Sequence, residues 1–269
     1  MKPDTLAFIG GGNMAGALIG GLLRRGLRPE QLLVVEPWAA QREKLAAQFG
    51  LQAQAAAGPA LAQASTVIWA VKPQSFAEAA APCRAFVSGA LQLSVMAGIR
   101  SPRLVAATGS ERVVRAMPNT PALIGQGIAG LFARDAVNAD ERVRVEALLA
   151  PTGRLLWVAQ EADLDAVTAL SGSGPAYVFY LLEAMEAAAA AMGLAPDQGR
   201  ALALATVAGA AALAGQSAES AAMLRAQVTS KGGTTHAAIS SLEAAGVGPA
   251  IVAAIRAAQH RAAELGDEF

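Results

Sequence analysis

The chain has 269 residues, enough for one large or two ordinary domains. Lys and Arg together number 21, as do Asp and Glu, so the formal charge is zero and no basic excess is present to hold nucleic acid or an anionic membrane. Cys83 is the only cysteine, so no internal disulfide can form and a reducing, cytoplasmic setting is expected; with His236 and His260 as the only histidines, no histidine-rich metal site is expected.

Residues Thr5 to Ala15 read TLAFIGGGNMA, an apolar run that breaks into glycines and resumes as a helix-compatible stretch. The G-x-G-x-x-A spacing of Gly10, Gly12 and Ala15 predicts a strand, a tight turn and a helix, the signature of a dinucleotide-binding turn. The first glycine allows the sharp exit, the second lets a pyrophosphate approach the backbone, and the small third residue seats the helix on the strand. Unpaired N–H groups at the helix start, over Asn13 and Met14, would face the phosphates. From Thr5 to Leu23 the chain is uncharged, and Gly12, Gly16 and Gly20 have the spacing of a membrane-helix contact face. The glycines and Asn13 make a poor span, so no membrane segment is expected. QLLVVE then predicts a second strand that ends on Glu36, an acidic residue about 20 positions beyond the turn where a ribose hydroxyl would be bonded.

STVIWAV, ALQLSVM, ERVVRAM and RLLWV are further short runs rich in β-branched or aromatic residues, and amphipathic segments such as Trp38 to Phe49 and Asn138 to Ala150 lie between them. This alternation predicts an α/β domain over residues 1–160, a Rossmann-type doubly wound, mostly parallel sheet with ligands outside the carboxyl ends of its strands. Two proline-marked loops follow strands there: AVKPQ, with Ala70, Val71, Lys72 and Pro73, and MPNTP, with Asn119.

Residues 162–266 carry no strand signal and predict helices punctuated by SGSGP, GLAPD, GQS, SKGG and GVGP, an all-α domain over residues 161–269. From Ala201 to Ser217 no residue is charged. A helix apolar on every side must be buried all round, and so small a subdomain has little interior; the stretch is read as a subunit interface in preference to a monomer core. Within TSKGGTT, Gly232, Gly233, Thr234 and Thr235 would present N–H groups and hydroxyls to a small carboxylate. Glu183 and Glu186 lie one turn apart and read as a solvated stripe. His236 is a second candidate acid.

Taken together, IGGGNMA, AVKPQ, SVMAG (Ser94 to Gly98), MPNTPALIG, SGSGPAY and VTSKGGTT resemble the pyrroline-5-carboxylate reductases, in the family's order from about residue 6 to 245. The resemblance implies hydride addition from NADPH or NADH to the C=N carbon of 1-pyrroline-5-carboxylate, giving proline, by dimers with interlocked helical domains that often gather into rings. It implies a pyrophosphate loop over Gly10 to Met14 and nicotinamide-side contacts at Ala70 to Pro73, Ala97 and Asn119. A substrate carboxylate site is implied at Ser230, Gly233, Thr234 and Thr235, with Thr235 hydrogen-bonding the ring nitrogen as donor or as orienting group. Where many NADPH-preferring members carry a small polar residue, this chain has Glu36-Pro37-Trp38, which leans to NADH, although Arg42 is in reach of a phosphate. Hydroxyacid dehydrogenases share the architecture but use a second-domain lysine that is lacking on the helix after SGSGP, and a dinucleotide-sensing regulator would need a basic recognition surface.

Overall fold

A computed structural model describes residues 5–268. The chain begins with β1 (Leu6–Ile9), α1 (Asn13–Arg24), β2 (Leu32–Val35), α2 (Ala39–Phe49), β3 (Thr66–Trp69), the short helices α3 (Phe76–Ala80) and α4 (Arg84–Val87), β4 (Leu91–Ser94), α5 (Ser101–Thr108) and β5 (Val113–Met117). It continues with β6 (Gly127–Ala133), α6 (Ala139–Leu149), β7 (Gly153–Trp157) and α7 (Asp163–Val167), which runs into a π-helical turn, Thr168–Gly172. Then come α8 (Gly174–Ala191), α9 (Pro196–Gln216), α10 (Ala221–Gln227), α11 (Thr234–Ala244) and α12 (Val247–Glu268). The strands form one sheet in the order β2-β1-β3-β4-β5-β6-β7.

All six predicted runs become strands at the expected places, and the pairs from β2 through to β5 are parallel, as crossovers by α1 to α5 require. β6 has no counterpart in the sequence reading. It pairs antiparallel with β5 because the link between them is only a short turn through Thr120–Ile124, too short for a crossover. β6 and β7 are again parallel, joined through α6, whose Asn138 cap accepts from the Glu141 N–H while Glu141 bonds back to the Asn138 N–H.

The sheet is covered on both faces. Leu6 and Phe8 of β1 point toward Ala15, Leu18 and Ile19 of α1, whereas Ala7 and Ile9 point toward Phe76, Val87 and Leu104 on the other side, the period-two alternation of a strand buried twice. Trp69 closes β3 with its ring edge-on to Phe76, centroids 5.4 Å apart, and its indole N–H donates to Gln92 Oε1 at 2.9 Å. Gln92 in turn donates to the Val87 and Ala90 carbonyls, so this fully buried amide is satisfied.

The described residues up to Ser173, together with those from Ala258 onward, make one compact unit, and Gly174–Ala257 make a second, wholly helical one. Among the described residues, those beyond 162 hold no strand, as expected from their pattern. In the second unit the uncharged stretch lies on α9, and it is not the core of a monomer: Leu202, Leu204 and Leu213 are 58%, 45% and 60% exposed. Among the described residues no single helix is long and apolar enough to cross a membrane, and no cluster of metal-ligating side chains occurs.

Candidate functional site

Strand register builds the first half of the site. Ile9 of β1 pairs with Val35 of β2 and with Trp69 of β3, so the next residues along, Gly10, Glu36 and Ala70, emerge side by side at the carboxyl edge. This edge is where the chain turns from β1 toward β2 on one side and toward β3 on the other, the place where open α/β sheets bind ligands. Gly10 has φ +96°, and a Cβ there would lie 2.7 Å from the Ala70 carbonyl oxygen, so both backbone and space demand glycine. Gly12 differs: a Cβ there would meet nothing within 4 Å. The space over Gly12 is therefore open, at the N-cap of a twelve-residue helix with no side-chain cap. The first-turn N–H groups of α1 have no intrahelical acceptor and carry the positive end of the helix dipole. A cradle open to an anion at this point fits the pyrophosphate of a dinucleotide. Asn13 is exposed and Met14 half-buried beside it.

Glu36 is 9% exposed, and both carboxylate oxygens are engaged with the turn it faces. Oε2 accepts the buried Gly11 N–H at 2.8 Å and Oε1 accepts the Trp38 N–H at 2.9 Å. The start of α2 closes the same corner: Gln41 Nε2 donates to the Gly11 carbonyl at 2.6 Å, and one guanidinium nitrogen of Arg42 donates to the Glu36 and Pro37 carbonyls at 3.0 and 2.6 Å. Arg42, expected within reach of a phosphate, is thus turned in part onto the backbone. The clamping roles of Gln41 and Arg42 carry no sequence signal, because any amphipathic helix would offer polar residues in its first turn.

On the far side of Gly10, Ala70 takes its N–H to the Ile9 carbonyl, Val71 and Pro73 are half-buried, and Lys72 is exposed as it leads into the turn Pro73–Ser75. Ala97 sits half-buried after β4, where its carbonyl accepts the Ile99 N–H. Asn119 is more enclosed than its motif indicates. Its Oδ1 accepts the Ile128 N–H at 3.0 Å and its Nδ2 donates to the Ser171 carbonyl at 3.2 Å, so it joins the MPNTP loop, the start of β6 and the π-helical turn. One amide hydrogen and one lone pair are left for a ligand.

A charge network that sequence reasoning missed fixes the loop carrying Ala97. Arg100 makes a two-pronged bond to Asp165 at 3.2 and 2.9 Å, and Arg115 of β5 bonds Glu161 at 2.8 Å. Glu161 also accepts the Ser101 N–H and hydroxyl, each at 2.6 Å. Burial alone pushes the Glu161 carboxyl up, but the bonds from Ser101 and Arg115 outweigh it and hold the group below the usual carboxylate range. Burial pulls Arg115 down from its ordinary value, against the pull of Glu161. The partners lie up to 65 positions apart, and no local pattern joins them. Burial pushes the Cys83 thiol up to about 11 and its Sγ donates to the Ala79 carbonyl, which suits a packing residue and not a nucleophile.

In the second unit, Gly233 is the N-cap of α11, and its N–H is taken by the Ser230 carbonyl at 3.0 Å. A Cβ on Gly233 would lie 2.7 Å from Ser230 Oγ, so the hydroxyl of Ser230 is drawn up against the helix start. No side chain caps this end, and the first helical bond is the Ala237 N–H to the Gly233 carbonyl at 3.1 Å. The N–H groups of Thr234, Thr235 and His236 therefore have no intrahelical acceptor. Thr235 is half-buried; Thr234 and His236 are exposed. Ser230, Gly233, Thr234 and Thr235 are thus gathered at one helix start, as the sequence implied, while the predicted dinucleotide contacts all lie in the first unit.

Residues 161–265 match the family model for pyrroline-5-carboxylate reductase dimerisation, and residues 5–98 match one described as NADP oxidoreductase, coenzyme F420-dependent. A pyrroline-5-carboxylate reductase of Pseudomonas aeruginosa is 43% identical, over 100% of this chain and 99% of that protein. The structure of a pyrroline-5-carboxylate reductase from Coxiella burnetii superposes with a TM-score of 0.90 at 34% identity, covering 97% of this chain and 98% of that one. That of Plasmodium falciparum pyrroline carboxylate reductase with NADP bound superposes with a TM-score of 0.88 at 26% identity over 99% of both chains. On the strength of the full-length identity and of a fold shared from end to end, this chain belongs to the pyrroline-5-carboxylate reductase family.

Proposed function

We propose that this chain reduces 1-pyrroline-5-carboxylate to L-proline with NAD(P)H, as a cytoplasmic homo-oligomer built from dimers. The observation that carries the reading is its correspondence along 100% of its length to a relative of that activity. The two bare helix starts, at Gly12 and Gly233, are its chemical support, since each offers unpaired N–H groups to an anionic group of a reactant. Residues 1–160 would form the dinucleotide domain and 161–269 the substrate and dimerisation domain, the latter supported by the dimerisation family match and the exposed apolar face of α9. A ring of dimers is the further assembly this reading includes, and a single cysteine fits the cytoplasmic location.

A nicotinamide dinucleotide held here would supply hydride to the C=N carbon. Gly10, Gly12 and the N–H groups over Asn13 and Met14 hold the pyrophosphate; Ala70, Val71, Lys72, Pro73, Ala97 and Asn119 border the nicotinamide half. Glu36 keeps one lone pair on each oxygen beyond the bonds it makes to Gly11 and Trp38, enough to accept a ribose hydroxyl, and its charge opposes a 2'-phosphate; this favours NADH over NADPH. At the start of α11, the N–H groups of Thr234 and Thr235 with the Ser230 hydroxyl take the substrate carboxylate. The Thr235 hydroxyl donates to the ring nitrogen. A threonine is a weak acid, but that nitrogen becomes strongly basic as the double bond is reduced, so a positioned hydroxyl suffices.

The test is oxidation of NADH and NADPH by the purified chain in the presence of 1-pyrroline-5-carboxylate, with proline identified as product. Turnover dependent on the imine is expected; absence of turnover with both cofactors overturns the reading.

A further inference from the structure

Beside the glycine turn, a cavity of about 320 Å³ opens between the carboxyl ends of the first three strands and α3. Its walls are aliphatic, with Pro37, Ala56, Val71 and Ala79 among them, and Gly10 is part of its lining. Only Ser75 and Glu78 bring polar side chains to it, and no lysine or arginine lines it. Glu78 makes no hydrogen bond or ion pair among the described residues. The volume and smooth aliphatic walls suit a flat heteroaromatic ring, and the adjoining Gly10 and Pro37 put such a ring at the adenosine end of a dinucleotide whose pyrophosphate lies over Gly12. An ionised carboxylate accepts hydrogen bonds and cannot donate them, so a ring edge that meets Glu78 must be a donor edge.

We propose that Glu78 is a specificity-determining residue that reads the base of the dinucleotide, accepting a hydrogen bond from the exocyclic amine of adenine and opposing bases that present a carbonyl there. The inference rests on the cofactor reading above and adds to it the choice of base. Purine differs from adenine at that edge only in carrying hydrogen in place of the exocyclic amine, and leaves stacking area, the neighbouring ring nitrogen and the phosphates unchanged.

Dissociation constants for NADH and for reduced nicotinamide purine dinucleotide, measured by calorimetry without substrate, test this in the full chain and in its Glu78→Gln and Glu78→Ala variants. The wild type is expected to bind the purine form about tenfold more weakly, the scale of one charge-assisted hydrogen bond. Glu78→Gln, whose amide oxygen accepts without a charge, is expected to narrow the gap, and Glu78→Ala to bring the two affinities close to equal through weaker binding of NADH. Equal affinities in the wild type, or a preference for adenine that survives undiminished in Glu78→Ala, overturns the proposal alone. Failure of both dinucleotides to bind the wild type overturns the cofactor reading and this inference with it.

Discussion

Glu36→Ser separates two roles that the structure gives to one carboxylate. The group closes the glycine turn through the Gly11 and Trp38 N–H groups, at 2.8 and 2.9 Å, and it sets a negative charge where the ribose of a dinucleotide is expected. Removing it leaves a buried Gly11 N–H without its acceptor, a loss of about 1 to 3 kcal/mol in stability. That loss acts on the enzyme whichever cofactor is bound, so it cancels in the ratio of kcat/KM for NADPH to that for NADH. The electrostatic part does not cancel. A phosphate about 5 Å from the carboxylate is repelled by about 0.8 kcal/mol per unit charge even at the dielectric of water, and by more in the partly desolvated corner. For a doubly charged 2'-phosphate the total passes about 1.4 kcal/mol, so Glu36→Ser should raise the NADPH to NADH ratio about tenfold or more. Steady-state kinetics with both cofactors, and a melting curve in parallel, read the two parts independently. A wild type that strongly prefers NADPH, or a ratio that stays fixed in Glu36→Ser while the melting temperature falls, would mean that the carboxylate is a turn clamp only.

Gly12→Val should abolish NADH binding with little change in melting temperature, because its side chain enters open space, whereas Gly10→Ala should destabilise the fold through contact with the Ala70 carbonyl; retained NADH affinity in Gly12→Val refutes the pyrophosphate assignment. Glu161 is held below the usual carboxylate range by Ser101 and Arg115 against its burial, so its stabilising contribution is complete above the unfolded value near 4.3 and is lost as pH falls through the lower folded value. The melting-temperature gap between wild type and Glu161→Gln should therefore be widest near neutrality and close on acidification below about pH 4; a gap independent of pH sinks the argument. Thr235→Val should lower kcat by about 10² or more, with a smaller change in the KM of the cofactor, while Thr235→Ser retains much of the rate. If instead His236→Gln is crippled and Thr235→Val is nearly normal, protonation belongs to the histidine.

What the sequence made legible is what local chemistry determines. Short apolar runs set off by Gly, Pro or Ser marked every strand from β1 to β5 and β7, and the glycines of the first turn marked where a phosphate would sit, because each needs only its own neighbours to state its meaning. β6 escaped because GIAGLFA is broken by two glycines, and its place between β5 and β7 comes from pairing on both sides, not from propensity. The charge network of Arg100, Asp165, Arg115 and Glu161 escaped for the same reason, as its spacings follow no helix or strand period. Asn119 shows how a motif can be found and its work still be hidden. MPNTP reads as a ligand loop, yet the Asn119 amide reaches Ile128 and Ser171, 9 and 52 positions away, and holds three segments of the first unit in one geometry. The Ser171 end of this tie is part of a π-helical turn, a departure from regular helix of the kind that clusters at functional sites. A residue bonded in this way shapes a site by fixing the backbone on either side of it, so its effect on a nicotinamide would come as much from where it holds Met117 to Thr120 as from the hydrogen and lone pair it has left to offer.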